Sequence, residues 1–395
     1  MGPLLETHFS ILMAGMMAWG LLRKVMRGRV SEATVRALSR GLPGNITTDM
    51  DLELGDLADR AREIPTLAEH LREASAESAI ESARALPEAA PFLERWDRFI
   101  DRYGHRGPGE IDISIPRWAD DPASLVTSLV GMLGSEPGDH RRRHAAAVAE
   151  GEAAVEEILA ASRGGLGLRY RLVRRLVAAV RAYLALREHG KFLVMQTLMR
   201  VRVAVVEAAG LAVQRGWLGH EDDAWMLTLG ELVALFEGGD PAAMRGQIEQ
   251  RRDDYARYAR LVPPRVMTSD GEQPVPREVV ELAPKELGGL AASAGTVEGV
   301  ARVVLDPREQ VLHAGEILVA PFTDPGWTPL FIHASGLVME VGGLMTHGSV
   351  VAREYGLPAV VGVDGATTRI RTGQRIRVDG DRGRVTLLDE QEVGA

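Results

Sequence analysis

The sequence predicts an α + α/β chain: a mainly helical domain over residues 1–262, a linker over 263–286 and a small α/β domain over 287–395. Three observations carry this. Through most of the first part, apolar residues recur at three- and four-residue spacing, the period of one helix face. A stretch rich in proline and charge then intervenes, with Pro263, Pro264, Pro274, Pro276 and Pro284. Beyond it the apolar runs shorten to strand length between turn residues.

The first element is the apolar run Phe9 to Leu22, followed by Arg23 and Lys24. It falls short of the roughly 20 residues that span a bilayer, and its charges follow the apolar run where a signal peptide's precede it. A buried or interface helix is expected, its Met-rich face available to a partner. Helical spacing continues over 52–63, 66–86, 142–162, 168–186, 191–216, 222–237 and 241–261. Thr47, Thr48 and Asp49 are expected to cap one helix, and Asp240 with Pro241 to open another. Residues 101–122 break the pattern with Gly104, Gly107, Pro108 and Gly109, predicting a loop with an extended piece at 111–115. Arg163 to Gly167 reads as an interhelical turn, because it lacks the strand, lysine and hydroxyl of a nucleotide loop.

In the linker, residues 265–270 are expected to pack on the helical domain as a strand. The remaining roughly 15–20 residues, extended, reach roughly 50–70 Å. Strands are predicted over 295–305, 317–320, 337–340, 359–362, 375–378 and 384–388, with helices near 328–334 and 348–356. Pro325 and Gly326 suit the central positions of a type II turn, glycine supplying the positive φ.

A chain of 395 residues that is 46% hydrophobic has enough apolar surface for two or three packed domains. Its net charge of −9 argues against nonspecific binding to nucleic acid or to an anionic membrane. With no cysteine, disulfides, thiolate metal sites and cysteine nucleophiles are excluded. No close group of histidines and carboxylates argues for a metal site. The missing export signal leads to the expectation of a cytoplasmic protein.

The chemistry concentrates in Gly342-Gly343-Leu344-Met345-Thr346-His347-Gly348-Ser349, continuing through Arg353 to Pro358. A helix starting at Gly348 or Ser349 aims unpaired N–H groups and its positive dipole end at an anion on the imidazole. Gly343 permits close approach, and Ser349 and Arg353 add a hydroxyl and a fork of donors one turn apart, with Thr346 beside the histidine. A neutral imidazole is a competent nucleophile near pH 7. His347 therefore reads as a phosphoryl carrier.

This pattern resembles the phosphohistidine segment of the phosphoenolpyruvate-utilising enzymes, the family of pyruvate phosphate dikinase, phosphoenolpyruvate synthase and rifampin phosphotransferase, and most of all the last. The resemblance implies a helical substrate-binding domain followed by a swivelling phosphohistidine domain that shuttles His347 between two distant sites. Met345 stands where many members have a threonine, which puts regulation through that threonine in doubt. The run 323–329 resembles the segment that lies near the phosphohistidine; a structural turn and a phosphate contact through Thr323 or Thr328 are both open.

Two clusters in the helical part complete the candidate site. The loop Tyr103 to Asp112 holds His105, Arg106, Glu110 and Asp112 among glycines, and the segment through Pro116-Arg117-Trp118 resembles the substrate-binding region of the rifampin enzyme. An internal salt bridge pinning the loop is the plain alternative. Arg187 and Lys191 are four apart and share a face if the helix continues through Gly190. Together they suit a transferring phosphoryl group; the alternative is a solvated helix end whose cations complement the dipole. Leu42 to Met50 also resembles the family's substrate domain, although capping accounts for it.

The family's enzymes charge the histidine with an ATP-grasp domain, and no Gly-rich phosphate loop precedes the helical domain here. A separate ATP-grasp partner, holding ATP and Mg, is therefore expected, with none bound by this chain. The expected function is transfer from His347 to a small-molecule hydroxyl, with Arg187 and Lys191 stabilising the transfer and His105 or a carboxylate as base. Two other readings are a condensation or elimination through a phosphorylated substrate, as in natural-product pathways, and a non-catalytic binding or regulatory protein.

Overall fold

In the computed structural model the described residues are 2–164, 167–261, 267–272, 283, 285–344 and 346–388. Packing divides the chain into two units: Met1–Glu110 with Pro116–Val194 and Val280–Ala395, and Ile111–Ile115 with Met195–Val279. The first unit holds helices α1 (Gly2–Met26), α2 (Glu32–Ala37), α3 (Ile46–Arg62), α4 (Pro65–Glu73), α5 (Ala79–Ala83), α6 (Ala90–Tyr103), α7 (Ala123–Met132), α8 (Asp139–Ala161) and α9 (Leu168–Ala185). Helix α10 (Arg187–Gln214) begins in it. The second unit holds the rest of α10, with α11 (Leu229–Phe236) and α12 (Pro241–Tyr258).

Most helices lie where the spacing predicts them, and the exceptions have physical reasons. The expected helix 66–86 is two, α4 and α5, separated at Ala74, whose extended ψ of 153° ends the first. Helix α6 places Phe92, Trp96, Phe99 and Tyr103 on one buried face, but Pro91 at its start and Gly104 at its end obscure it in sequence. Helix α7 is buried almost all round, so it shows no amphipathic period. Thr47 to Asp49 do not cap α3; they lie inside its first turn, and Asn45 caps it by accepting from the Thr47 N–H at 3.0 Å. Asp240 caps α12 as expected.

Helix α1 is longer than the expected Phe9–Leu22 run. Its Phe9–Met26 stretch is long and apolar enough to cross a membrane by length and composition, which corrects the expectation that it is too short. Ala18, Leu22 and Met26 join Val173, Leu176, Val177 and Val180 of α9 in one core cluster. The opposite face exposes Phe9, Met13, Met16, Met17 and Leu21.

Among the described residues, strands β1 (Glu286–Gly288), β2 (Leu290–Ser293), β3 (Thr296–Val303), β4 (Ile317–Ala320), β5 (Gly336–Met339), β6 (Ala359–Val361), β7 (Arg375–Asp379) and β8 (Arg384–Leu387) form one sheet of order β1-β8-β7-β3-β4-β5-β6-β2. Strands β3, β4, β5 and β6 are mutually parallel, and antiparallel strands extend both sides. The central strands read as continuous apolar runs because both faces are buried. Leu318, Leu337 and Val361 point to the cluster under α13 (Thr328–Phe331) and α14 (His347–Tyr355), whereas Ile317, Val338 and Val360 point to the cluster capped by α15 (Ala366–Arg369). β1 and β2 were not expected; they are short and pair only at the sheet edges.

Three local expectations change. Residues 111–115 form turns in place of an extended piece. Of the expected strand 265–270, Arg265 and Val266 lie outside the described residues, and 267–272 make a turn closed by Thr268 and Glu272. Most of the linker 263–286, with Gly165 and Leu166, also lies outside them.

The third change concerns Pro325–Trp327, which form a 3-10 turn capped by Asp324; Gly326 does not take a positive φ. Glycine is needed there for close approach, since a Cβ would stand 2.2 Å from Pro108 N and 2.3 Å from Gly107 C. Backbone bounds both sides, so Gly326→Ala should lower stability by about 1–3 kcal/mol in urea unfolding. Gly246→Ala, in α12 with open space around it, should be neutral or stabilising by about 0.5–1 kcal/mol.

Candidate functional site

Helix α14 opens on His347 itself, one residue earlier than expected, with Thr346 as its N-cap. The imidazole thus stands at the positive end of the helix. Ser349 and Thr346 both donate to the Gly343 carbonyl, at 2.7 and 2.8 Å, and tie the turn before the histidine to the first turn of the helix. Arg353 donates to the carbonyls of Ala292 at 2.9 Å and Leu344 at 2.7 Å. Burial, and then Arg187 and Arg36, bring its pKa down to about 10. In this arrangement Ser349 and Arg353 shape the turn before His347 and spend these donors on it. Gly343 lies in open space, while Gly348 is the tight position: a Cβ there would stand 2.4 Å from Thr323 Oγ1. Met345 lies outside the described residues.

His347 is nearly buried, with 11% of its side chain exposed. Its Nε2 lies 2.9 Å from Thr328 Oγ1, and its Nδ1 lies 3.5 Å from Glu188 Oε2. Glu188 is the second residue of α10, so two helix N-termini converge on this pair. Burial pushes the Glu188 carboxyl upward, but Arg187 and then His347 outweigh it and hold the group far below the ordinary carboxylate range. An ionised carboxylate at that distance favours the proton on Nδ1. That leaves the Nε2 lone pair facing Thr328, whose hydroxyl lies within reach of both Nε2 and the Pro325 carbonyl.

The helix does continue through Gly190, and Arg187 is its first residue. Cations at this N-terminus oppose the dipole of α10, although Arg187 also stands just past the C-terminal end of α9. Carboxylates offset this: Arg187 pairs with Glu188, and Lys191 lies 3.0 Å from Glu110. Glu110 also receives Arg106 through two bonds of 2.6 and 3.1 Å, with both side chains 1% exposed. Burial raises the Glu110 carboxyl, and Arg106 and Lys191 return it below its ordinary value. The salt bridge that would pin this loop is thus present, and it is joined to Lys191.

His105 packs edge-on against Phe192 of α10 at 4.5 Å, and its Nε2 is buried without a hydrogen-bond partner. Asp324, which the sequence reading passed over, binds the Gly109 N–H at 2.6 Å and the Gly326 N–H at 2.9 Å. Its pKa is raised by burial and by Glu110. Asp112 falls in the second unit, where it accepts from the Ser114 N–H and hydroxyl. That unit has its own cavity of about 640 Å³, lined by Val201, Trp225, Met226, Leu232 and Tyr255 among others.

The first unit thus gathers His347, Thr328, Glu188, Arg187, Lys191, Glu110, Arg106, His105 and Asp324. Two family models match the chain: rifampicin phosphotransferase fourth domain over residues 7–188, and PEP-utilising enzyme, mobile domain, over 312–383. Residues 312–383 thus belong to the mobile-domain family of the PEP-utilising enzymes. It is 39% identical over 388 residues to the rifampicin phosphotransferase of Streptomyces sviceus, covering 96% of this chain and 44% of that protein. The rifampicin phosphotransferase of Bacillus cereus is 36% identical over 384 residues, with the same two coverages. The chondramide synthase cmdD of Chondromyces crocatus is 28% identical over 413 residues, covering 97% of this chain and 10% of that protein. The chain spans less than half the length of these curated relatives.

Glu188 and Asp324 are the residues of this cluster that sequence reasoning missed. Glu188 stood in view between two cations, and Asp324 stood before Pro325 as an ordinary cap. Burial brings the His105 pKa down to about 4, with Arg106 adding to the effect. His105 is therefore neutral at pH 7. Ring-proton NMR, assigned by loss of the signal in His105→Gln, should give a midpoint near 4 in place of about 6.5 for an exposed histidine.

Proposed function

We propose that this chain is a phosphotransferase component in which His347 carries a phosphoryl group on Nε2 and delivers it to a hydroxyl of a small molecule. What supports the reading above all is one juxtaposition: the histidine of a mobile-domain family stands 3.5 Å from Glu188, the residue between Arg187 and the turn that carries Lys191. The names of the relatives support it too, since several are rifampicin phosphotransferases. The identity of the acceptor hydroxyl is a matter for product analysis, since a pocket changes specificity through a few side chains.

The residues divide the work by their chemistry. Glu188 keeps the proton on Nδ1, so the phosphoryl group resides on Nε2 and His347 leaves as neutral imidazole. The P–N bond breaks as the P–O bond to the acceptor forms, and Arg187 and Lys191 stabilise the charge on the transferring oxygens. The acceptor's proton passes to His105, whose Nε2 is bare. In the reverse half of the cycle, the α/β domain swings on the 263–286 linker to an ATP-grasp partner, where ATP with Mg recharges His347. A cytoplasmic setting, where ATP is abundant, belongs to this proposal.

With radiolabelled ATP and a candidate ATP-grasp protein, the wild-type chain should become labelled and His347→Ala should not. Equal labelling of the two would sink the proposal. Lys191→Ala and Arg187→Ala should accept label normally yet pass it on at least about 100-fold more slowly, the scale of losing one transition-state donor. A loss confined to labelling would assign these two residues to the other half of the cycle.

A further inference from the structure

The far end of α14 makes a contact that phosphoryl chemistry does not use. Glu354, 1% exposed, accepts from Asn45 Nδ2 at 2.6 Å and lies 2.7 Å from Thr48 Oγ1. The next residue, Tyr355, donates to Asp51 Oδ2 at 2.7 Å, and Asp51, also 1% exposed, has no hydrogen-bond partner on Oδ1. Two carboxyl groups are thus buried together between α14 and α3, met by an amide and two hydroxyls. Ile332, just beyond α13, completes the contact by joining the apolar cluster of the helical part.

The hydrogen-bond geometry leaves one place for a proton on Glu354. The Asn45 Oδ1 is committed to capping α3, so its NH₂ faces Glu354 Oε2, which must accept. The Thr48 hydroxyl can donate or accept, so Oε1 is free to carry a proton and donate it to Thr48. A neutral acid satisfies both partners, whereas a carboxylate there would be buried beside a second carboxyl group, with Arg187, the cation that acts on it, already paired with Glu188.

We propose that the α/β domain docks on α3 through a proton-bearing latch, in which Glu354 enters the Asn45–Thr48 cleft as the neutral acid, so that docking takes up a proton and undocking releases it. This rests on the reading that the domain moves. The surrounding charges agree with a neutral Glu354. From α14, Arg353 is turned to Ala292 and Leu344. From α10, Arg187 and Glu188 pair with each other. From the 104–110 loop, Arg106, which acts on Asp51, is held by Glu110. From α8, His140 is bonded to Asp56, and Arg143, which lines the small void beside Asp51 and Tyr355, pairs with Asp139.

Burial raises the Glu354 pKa to about 7, with Glu188 adding to the rise, and burial also raises Asp51. The sign follows. The docked state binds the extra proton below about pH 7, and the undocked group releases it above the ordinary carboxylate range. The docking constant therefore falls as pH rises from about 5 to 7, by up to about tenfold per unit for this proton. Above that range the Glu354 contribution is flat.

Having no cysteine, the full chain accepts a donor and acceptor dye at Glu94→Cys and Arg382→Cys, both exposed, for energy-transfer measurements from pH 5 to 8. The native latch should show the fall. Glu354→Gln, whose amide accepts from Asn45 and donates to Thr48 as the acid does, should stay docked at pH 7.5 and lose one proton from the slope. Thr48→Ala, on the opposite side, should weaken docking at pH 5 several-fold. An unchanged slope in Glu354→Gln, or unchanged docking in Thr48→Ala, overturns the latch and leaves the moving domain standing. One fixed distance at every pH overturns both, and labelling of His347 is tested separately.

Discussion

A carboxylate as buried as Glu188 stays ionised only with opposite charge around it, and that requirement organises the site. Arg187 answers it from the same helix, and Nδ1 of His347 faces it from another. The consequence runs in both directions. Helix α10 has to begin at Arg187 for the pair to form, and α14 has to begin at His347 for Nδ1 to face it. Two positive helix ends therefore converge where a phosphoryl group would bring further negative charge.

The same logic links the neighbouring loop. Arg106, Glu110 and Lys191 alternate in sign, so each burial is compensated by the next, and Glu110 receives both cations. Asp324 then fastens the loop to the sheet domain by accepting from Gly109, while Gly326 allows the two backbones to touch. Ser349 and Arg353, whose donors turn inward to carbonyls, keep the histidine turn in shape. Rigid support of this kind fits the proposed transfer, because small errors in placing reacting atoms cost rate heavily.

Much of this was legible beforehand. The central strands declared themselves through their apolar runs, the helix start beside His347 through its glycines, and the shared helix of Arg187 and Lys191 through their spacing. Helix α7 was not legible, because a segment buried on all sides carries no period. The edge strands β1 and β2 were too short to signal themselves. Glu188 and Asp324 were in view as residue types, but a carboxylate between cations or before a proline has an ordinary local explanation. Only burial removes that explanation.

The sequence by itself determined the helical and α/β order, the glycine-bounded turn before His347 and the shared face of Arg187 and Lys191, since each depends on residues close together in the chain. The tertiary structure decided what those residues face. Asn45, Thr48 and Asp51 meet Glu354 and Tyr355 across some three hundred residues, and Glu188 meets His347 across more than one hundred and fifty. No local pattern encodes such pairs. They arise because burying polar groups forces each to find a partner wherever the fold brings one within reach.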